Sequence, residues 1–304
     1  MWLNPLAEIT SNQPPITKGR GMQLIGYILA NIVLAYSWVY DKMILSRERV
    51  DHRAFLVVVF FFVFVFTIVL FPIFGWINFN ELTTYHYWLF GGAIAIAVLY
   101  NYILHKSIQN QALCEVEIFL WLNPLVTIFI ASLLLPGEQN PNIMIASIVA
   151  GLAIFFAHIE KRHLKFSSYS LFMFITIILM SLETVVFRLL LEVVSPIALY
   201  GLRTGIIFLI YLFMFGIPKK GIPHKKTKEL AIMAGMWLFF NFFMFTGYKN
   251  LGIVLTTLIF MTSLSITAIF GYVFLNERLK KRQILATIVI VIAIVYALRI
   301  IPLG

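Results

Sequence analysis

Few residues in this chain could do chemistry, and most of them sit inside apolar runs. Glu115 and Glu117 open the stretch ALCEVEIFLWLNPLV at residues 112–126, Glu183 and Arg203 lie ten residues either side of Val193, and Asn101 and Asn241 interrupt two further greasy segments. An ionised side chain held at the centre of a lipid-embedded helix costs roughly 2.5–3.5 kcal/mol on insertion scales, so each calls for a partner or a ligand.

Glu115 and Glu117 are two positions apart, about 200° around a helix, and cannot share a face. Glu117 falls on the stripe of Cys114, Trp121 and Pro124 by helical spacing, which makes it the acid expected to look into a cavity. Glu115, nearer the helix start, is expected at the interface, where the helix dipole favours a carboxylate. A single acid with aromatic neighbours suits an ammonium group, through an ion pair and cation–π attraction. Trp121, Trp38, Tyr100, Asn101 and Asn241 are the candidate lining beside Glu117, Trp38 sharing its helix face with Asn31. Glu183 and Arg203 are expected at one depth of an antiparallel hairpin, forming an ion pair. That pair is either a static bridge, a bridge that opens during a cycle, or an arginine that also binds a substrate carboxylate. For the asparagines and aromatics, interhelical hydrogen bonding and packing are the competing roles. Arg203 also lies in Gly201-Leu202-Arg203-Thr204-Gly205, a spacing that lets a second helix approach. The six histidines are read as lying mostly at span ends or in loops, and Glu138 and Glu277, next to helix starts, as capping residues.

What must position these groups is set by composition. The 304 residues are 61% hydrophobic and 12% charged, with 29 Phe, and no ordinary soluble domain has that balance. Ten apolar runs long enough to cross a bilayer are expected at about 22–40, 54–74, 86–104, 113–135, 142–158, 168–188, 197–216, 230–247, 251–274 and 284–301. The fold class is therefore an all-α integral membrane protein. Residues 1–21 read as a polar tail without the order of a signal peptide. The lone Cys114 excludes an intrachain disulfide or a Cys-based metal site. The net charge of +10 resides in the loops between spans, where it sets orientation rather than binding nucleic acid.

A shift of 140 residues superposes Asn101 on Asn241, Asn110 on Asn250, Thr127 on Thr267 and Ala146 on Ala286, and places Glu117 on Thr257. Two copies of an odd number of spans must cross the membrane in opposite senses. The expected plan is two inverted five-helix repeats, 22–165 and 166–304, a recurrent architecture of secondary transporters with the substrate between the halves. Lys42, Arg47, Lys106, Lys161, Lys219, Lys225 and Arg278 lie on one side, which the positive-inside rule makes cytoplasmic, with both termini on the other.

LNERLKKRQILATIVIVIAIVYAL (275–298), LLLPGEQNPNIMIASIVAGLAIFF (133–156) and VSPIALYGLRTGIIFLIYL (194–212) resemble the repeats of EamA-type members of the drug/metabolite transporter superfamily. Asn276-Glu277 stands where the first copy has Gly137-Glu138, and the first repeat has no arginine matching Arg203. The resemblance implies ten helices and transport; it also implies cytoplasmic termini, against the charge bias.

Phosphate-cradling loops and hydrolase motifs are missing from the sequence, so neither ATP-driven transport nor an enzyme is expected. The expected activity is secondary transport, by alternating access, of a small ammonium-bearing metabolite such as an amino acid or amine. Export of an amino acid in the inner membrane of a prokaryote is the setting expected. The expected partners are that small molecule, the lipid bilayer, and protons or a counter-substrate, with Glu117, Glu183 and Arg203 as coupling or gating residues; no cofactor is expected. Two alternatives stand beside it: transport of anionic metabolites such as nucleotide sugars, and a non-transporting sensor or assembly component of the same fold.

Overall fold

A computed structural model describes residues 20–42, 44, 51–110, 113–158, 168–217, 224–275 and 281–300. The chain is built of helices α1 (Arg20–Lys42), α2 (His52–Phe74), α3 (Thr84–Asn110), α4 (Leu113–Leu134), α5 (Pro141–His158), α6 (Ser168–Leu190), α7 (Pro196–Phe215), α8 (His224–Leu251), α9 (Ile253–Phe260), α10 (Thr262–Leu275) and α11 (Lys281–Ile300). Among the described residues six helices are long and apolar enough to cross a membrane, and four shorter apolar segments bring in α1, α4, α5 and the α9–α10 pair. Each of the ten expected spans thus has a helix, the ninth being divided at Met261. Apart from an isolated antiparallel bridge between Ile77 and Val194, the described residues hold no extended pairing.

Local sequence sets several helix ends. Ser195 caps α7 by accepting from the Ala198 N–H at 3.2 Å, with Pro196 at the first helical position, where its missing N–H costs nothing. The same serine fastens α7 to the end of α2. Its hydroxyl accepts from the Trp76 N–H at 2.9 Å and its own N–H donates to the Trp76 carbonyl at 3.0 Å. The end of α2 therefore meets the start of α7, and the two helices pack antiparallel along their lengths.

The packing obeys a twofold exchange of the first five spans with the last five. α2 packs on α7 and α5 on α11, each pair being its own mate; α4 on α6 is matched by α10 on α1, α3 on α6 by α8 on α1, and α2 on α8 by α7 on α3. An odd number of spans per copy makes this an inverted repeat. Close approach at the self-paired α2–α7 contact depends on the glycines of α7. A Cβ on Gly201 would meet the Thr67 hydroxyl at 3.1 Å, and one on Gly205 would meet the Phe64 ring at 2.5 Å. The GxxxG spacing is thus a packing face against α2.

Large apolar side chains cover the outside, with Phe213 94% exposed, as expected of a surface solvated by lipid rather than water. Trp76, Phe79, Tyr85, Tyr87 and Trp88 are all exposed around the α2–α3 connection, the position of an interfacial aromatic belt.

Candidate functional site

The polar centre of the molecule joins α3, α6 and α7. Arg203 donates from Nε to Glu183 Oε1 at 2.7 Å and from Nη2 to Glu183 Oε2 at 3.2 Å, a fork-to-fork pairing that fixes both planes. Its Nη2 also donates to the Tyr100 hydroxyl, which in turn donates to Glu183 Oε2 at 2.8 Å. Glu183 is 4% exposed and Arg203 6%, so both charges are withdrawn from solvent and compensated by each other. The Phe187 ring lies beneath the guanidinium at 5.5 Å from Arg203 Cζ. By helical rise, Glu183 lies about 10 Å from the end of α6 and Arg203 about 10 Å from the start of α7, well inside the membrane.

A second ring of contacts holds these side chains. Tyr200, one turn before Arg203, accepts a hydrogen bond from Asn241 Nδ2 at 3.1 Å and meets the Phe245 ring edge-on. Phe245 in turn packs on Phe187 with ring centroids 4.9 Å apart. Ser181, two residues from Glu183, bonds to Thr127 on α4 at 2.9 Å, tying the first repeat to α6. Tyr211 donates to the Val98 carbonyl at 2.7 Å and ties α7 to α3.

The ion pair expected between Glu183 and Arg203 is present, but its setting differs from a simple hairpin. α6 and α7 make their main contacts with α3 and other helices, and the first-repeat residue Tyr100 completes the pair. Asn101 is buried and bonds back to the Ala97 carbonyl at 2.8 Å; Asn241 bonds back to Trp237 as well as to Tyr200. The side chains of Glu115, Glu117, Trp121 and Trp38 lie outside the described residues, although α4 and α1 run through them. Asn31 reaches from α1 toward the Ile259 carbonyl at 3.4 Å, where α9 gives way to α10.

The structure sharpens two expectations. His105 is neither at a span end nor in a loop: α3 continues past residue 104 to Asn110, and His105 is 3% exposed, donating from Nδ1 to the Asn101 carbonyl at 2.7 Å. Its place one turn after Asn101 on the same face was readable from spacing. Glu138 is a cap, but of a helix 115 residues away: it accepts from the N–H groups of Ile253 at 2.7 Å and Val254 at 3.0 Å. Gly252 permits this with φ +82° and no side chain, since a Cβ there would meet Glu138 Oε1 at 2.6 Å. A carboxylate on the first N–H groups of the half-helix satisfies donors that would otherwise be orphaned near lipid.

Against known proteins, residues 167–299 match the model of the EamA-like transporter family. The second half of the chain is an EamA-like transporter domain. The match covers the α6–α11 unit that carries Glu183, Arg203 and Asn241. A solved crystal structure superposes on 91% of this chain and 95% of its own, with a TM-score of 0.65 at 14% identity, a likeness of fold alone. No curated protein sequence matches the chain.

Proposed function

We propose that the protein is a secondary transporter working by alternating access, in which the five-helix units 22–165 and 166–304 rock about a site between them. The observation that carries this reading is the Tyr100–Glu183–Arg203 bridge. It takes one member from the first unit and two from the second, deep in the membrane, where relative motion of the units must strain or break it.

The substrate class we assign is a small ammonium-bearing compound, an amino acid or amine. Arg203 already spends Nε and Nη2 on Glu183 and Tyr100, so it is poorly placed to clamp a polyanion as well. A substrate carboxylate could exchange with Glu183 for the guanidinium during the cycle, while Glu117, with Trp121, Trp38 and Tyr100, holds the ammonium group. Asn101 and Asn241 supply neutral hydrogen bonds. Protons through Glu117 or exchange with a counter-substrate drive the cycle.

Thermal unfolding of the purified protein against L-phenylalanine, L-lysine, choline, a nucleotide sugar and a sugar phosphate tests this. A ligand at about a hundred times its dissociation constant should stabilise by roughly 2–3 kcal/mol. Stabilisation by an ammonium compound, lost in Glu117→Gln, with flux of the same compound into liposomes, is expected. Stabilisation by phosphorylated compounds alone would refute the substrate class. Binding without flux would favour the sensor or assembly reading.

A further inference from the structure

Beneath the central bridge, toward the basic face, α3 carries a second polar feature that transport as described does not use. His105 is packed between the Phe55 ring at 5.2 Å and the Trp237 ring at 5.8 Å, joining α3 to α2 and α8. Its Nδ1 donates to the Asn101 carbonyl, so that nitrogen keeps its hydrogen and Nε2 is the base left for a further proton. His52, at the start of α2, repeats the arrangement nearer the water. It is buried, its Nδ1 pairs with Gln109 Oε1 and lies 3.2 Å from Oδ1 of exposed Asp51, and its Nε2 has no partner. His52 rests on Tyr102 with rings 5.6 Å apart, three residues before His105, as Phe55 three residues after His52 rests on His105. The two imidazoles thus sit on facing turns of one helix pair.

We infer that His105, reached from the basic face through His52, is a proton-binding site that couples transport to pH. The reading rests on the transporter function proposed above and adds to it a second proton site, distinct from Glu117. A proton taken from water at the basic face binds Nε2 of His105 and leaves by the same nitrogen; no other bond changes. Bound, it puts a cation five residues of α3 from Tyr100, roughly 7.5 Å along the axis. That charge repels the Arg203 guanidinium and attracts Glu183, weakening the bridge that links the two units.

The other ionisable groups on the packed elements are few. Asp51 and Arg53 stand at the start of α2, Arg53 over the Phe215 ring, and Lys106 beside His105 lies over Tyr102. From α6 and α7 come Glu183, Arg203 and Tyr211. α8 offers Lys226, Lys228 and Glu229 in its first turns and the indole of Trp237, beside the buried carboxyl of Asp41 on α1. On α4, Glu115 and Glu117 have side chains outside the described residues.

Trp237 provides the readout, because an imidazolium quenches an adjacent indole. Tryptophan emission of the full-length protein in lipid nanodiscs is followed from about pH 8 to about pH 3, since burial disfavours the imidazolium. A reversible fall in the wild type, lost in both His105→Gln and Trp237→Phe and displaced along the pH axis in His52→Gln, is expected. Superimposable titrations of the wild type and His105→Gln would overturn the proposal, provided both variants elute and unfold like the parent. Liposomes with an internal pH dye then test coupling, with L-lysine and choline as probes. Probe movement that carries protons in the wild type, but not in His105→Gln, supports it; equal proton movement in both overturns it. Absence of probe movement in either protein would sink the transporter reading, and the emission titration would still decide the proton site.

Discussion

Removing one partner of the Glu183–Arg203 pair should be among the most damaging single changes available in this protein. The two side chains are 5% and 7% exposed, and the guanidinium makes two bonds to one carboxylate and a third to Tyr100. Glu183→Ala leaves a buried guanidinium with one remaining oxygen partner, and Arg203→Ala leaves a buried carboxylate with only the tyrosine hydroxyl. Either state carries an uncompensated charge, for which roughly 3–5 kcal/mol is the usual loss. The double variant removes both charges together, so its loss should fall well below the sum of the two singles, with a coupling of about 3 kcal/mol. The measurement is a double-mutant cycle on unfolding free energy in mixed micelles, with Tyr100→Phe added as a third corner at about 1–3 kcal/mol. Additive single losses, with no coupling, would refute the bridge as a feature of the resting protein and remove the support it gives to alternating access.

Three further outcomes are expected. Gly252→Ala should cost more than Gly216→Ala: both glycines have positive φ with extended ψ, a conformation worth roughly 1–3 kcal/mol against other residues, but only at Gly252 would the new Cβ also strike Glu138. Equal losses in thermal unfolding would contradict the packing of Glu138 on α9. Gly205→Ala should lower stability by roughly 1–3 kcal/mol through overpacking on Phe64, whereas Gly91→Ala, where nothing lies within reach of the added methyl, should not. Burial raises the Glu138 carboxyl above the ordinary glutamate value, offset only in part by the N–H groups of Val254 and Ile253. In the window between that ordinary value and the raised one the folded chain holds more protons than the unfolded, so this group's contribution to stability grows as pH falls through it. Glu138→Gln should flatten that part of the pH dependence of the unfolding midpoint; an unchanged slope would show that Glu138 does not titrate there.

Much was legible along the chain because it depends on near neighbours. Apolar run length and charge placement determine that segments enter a bilayer, and this located all ten spans. The 140-residue echo pointed to duplicated spans, and the packing pairs helices accordingly, α2 on α7 and α5 on α11 each being its own mate. Equal counting from the α6–α7 turn found Glu183 and Arg203, since two unpaired charges in lipid must seek each other. Tyr100 as their third partner, Glu138 as the cap of α9, Phe64 and Thr67 opposite the α7 glycines, and His105 between Phe55 and Trp237 were decided only by the tertiary structure. Spacing along one helix states which residues share a face. Which helix that face meets depends on packing between segments far apart in sequence, and no local periodicity encodes it.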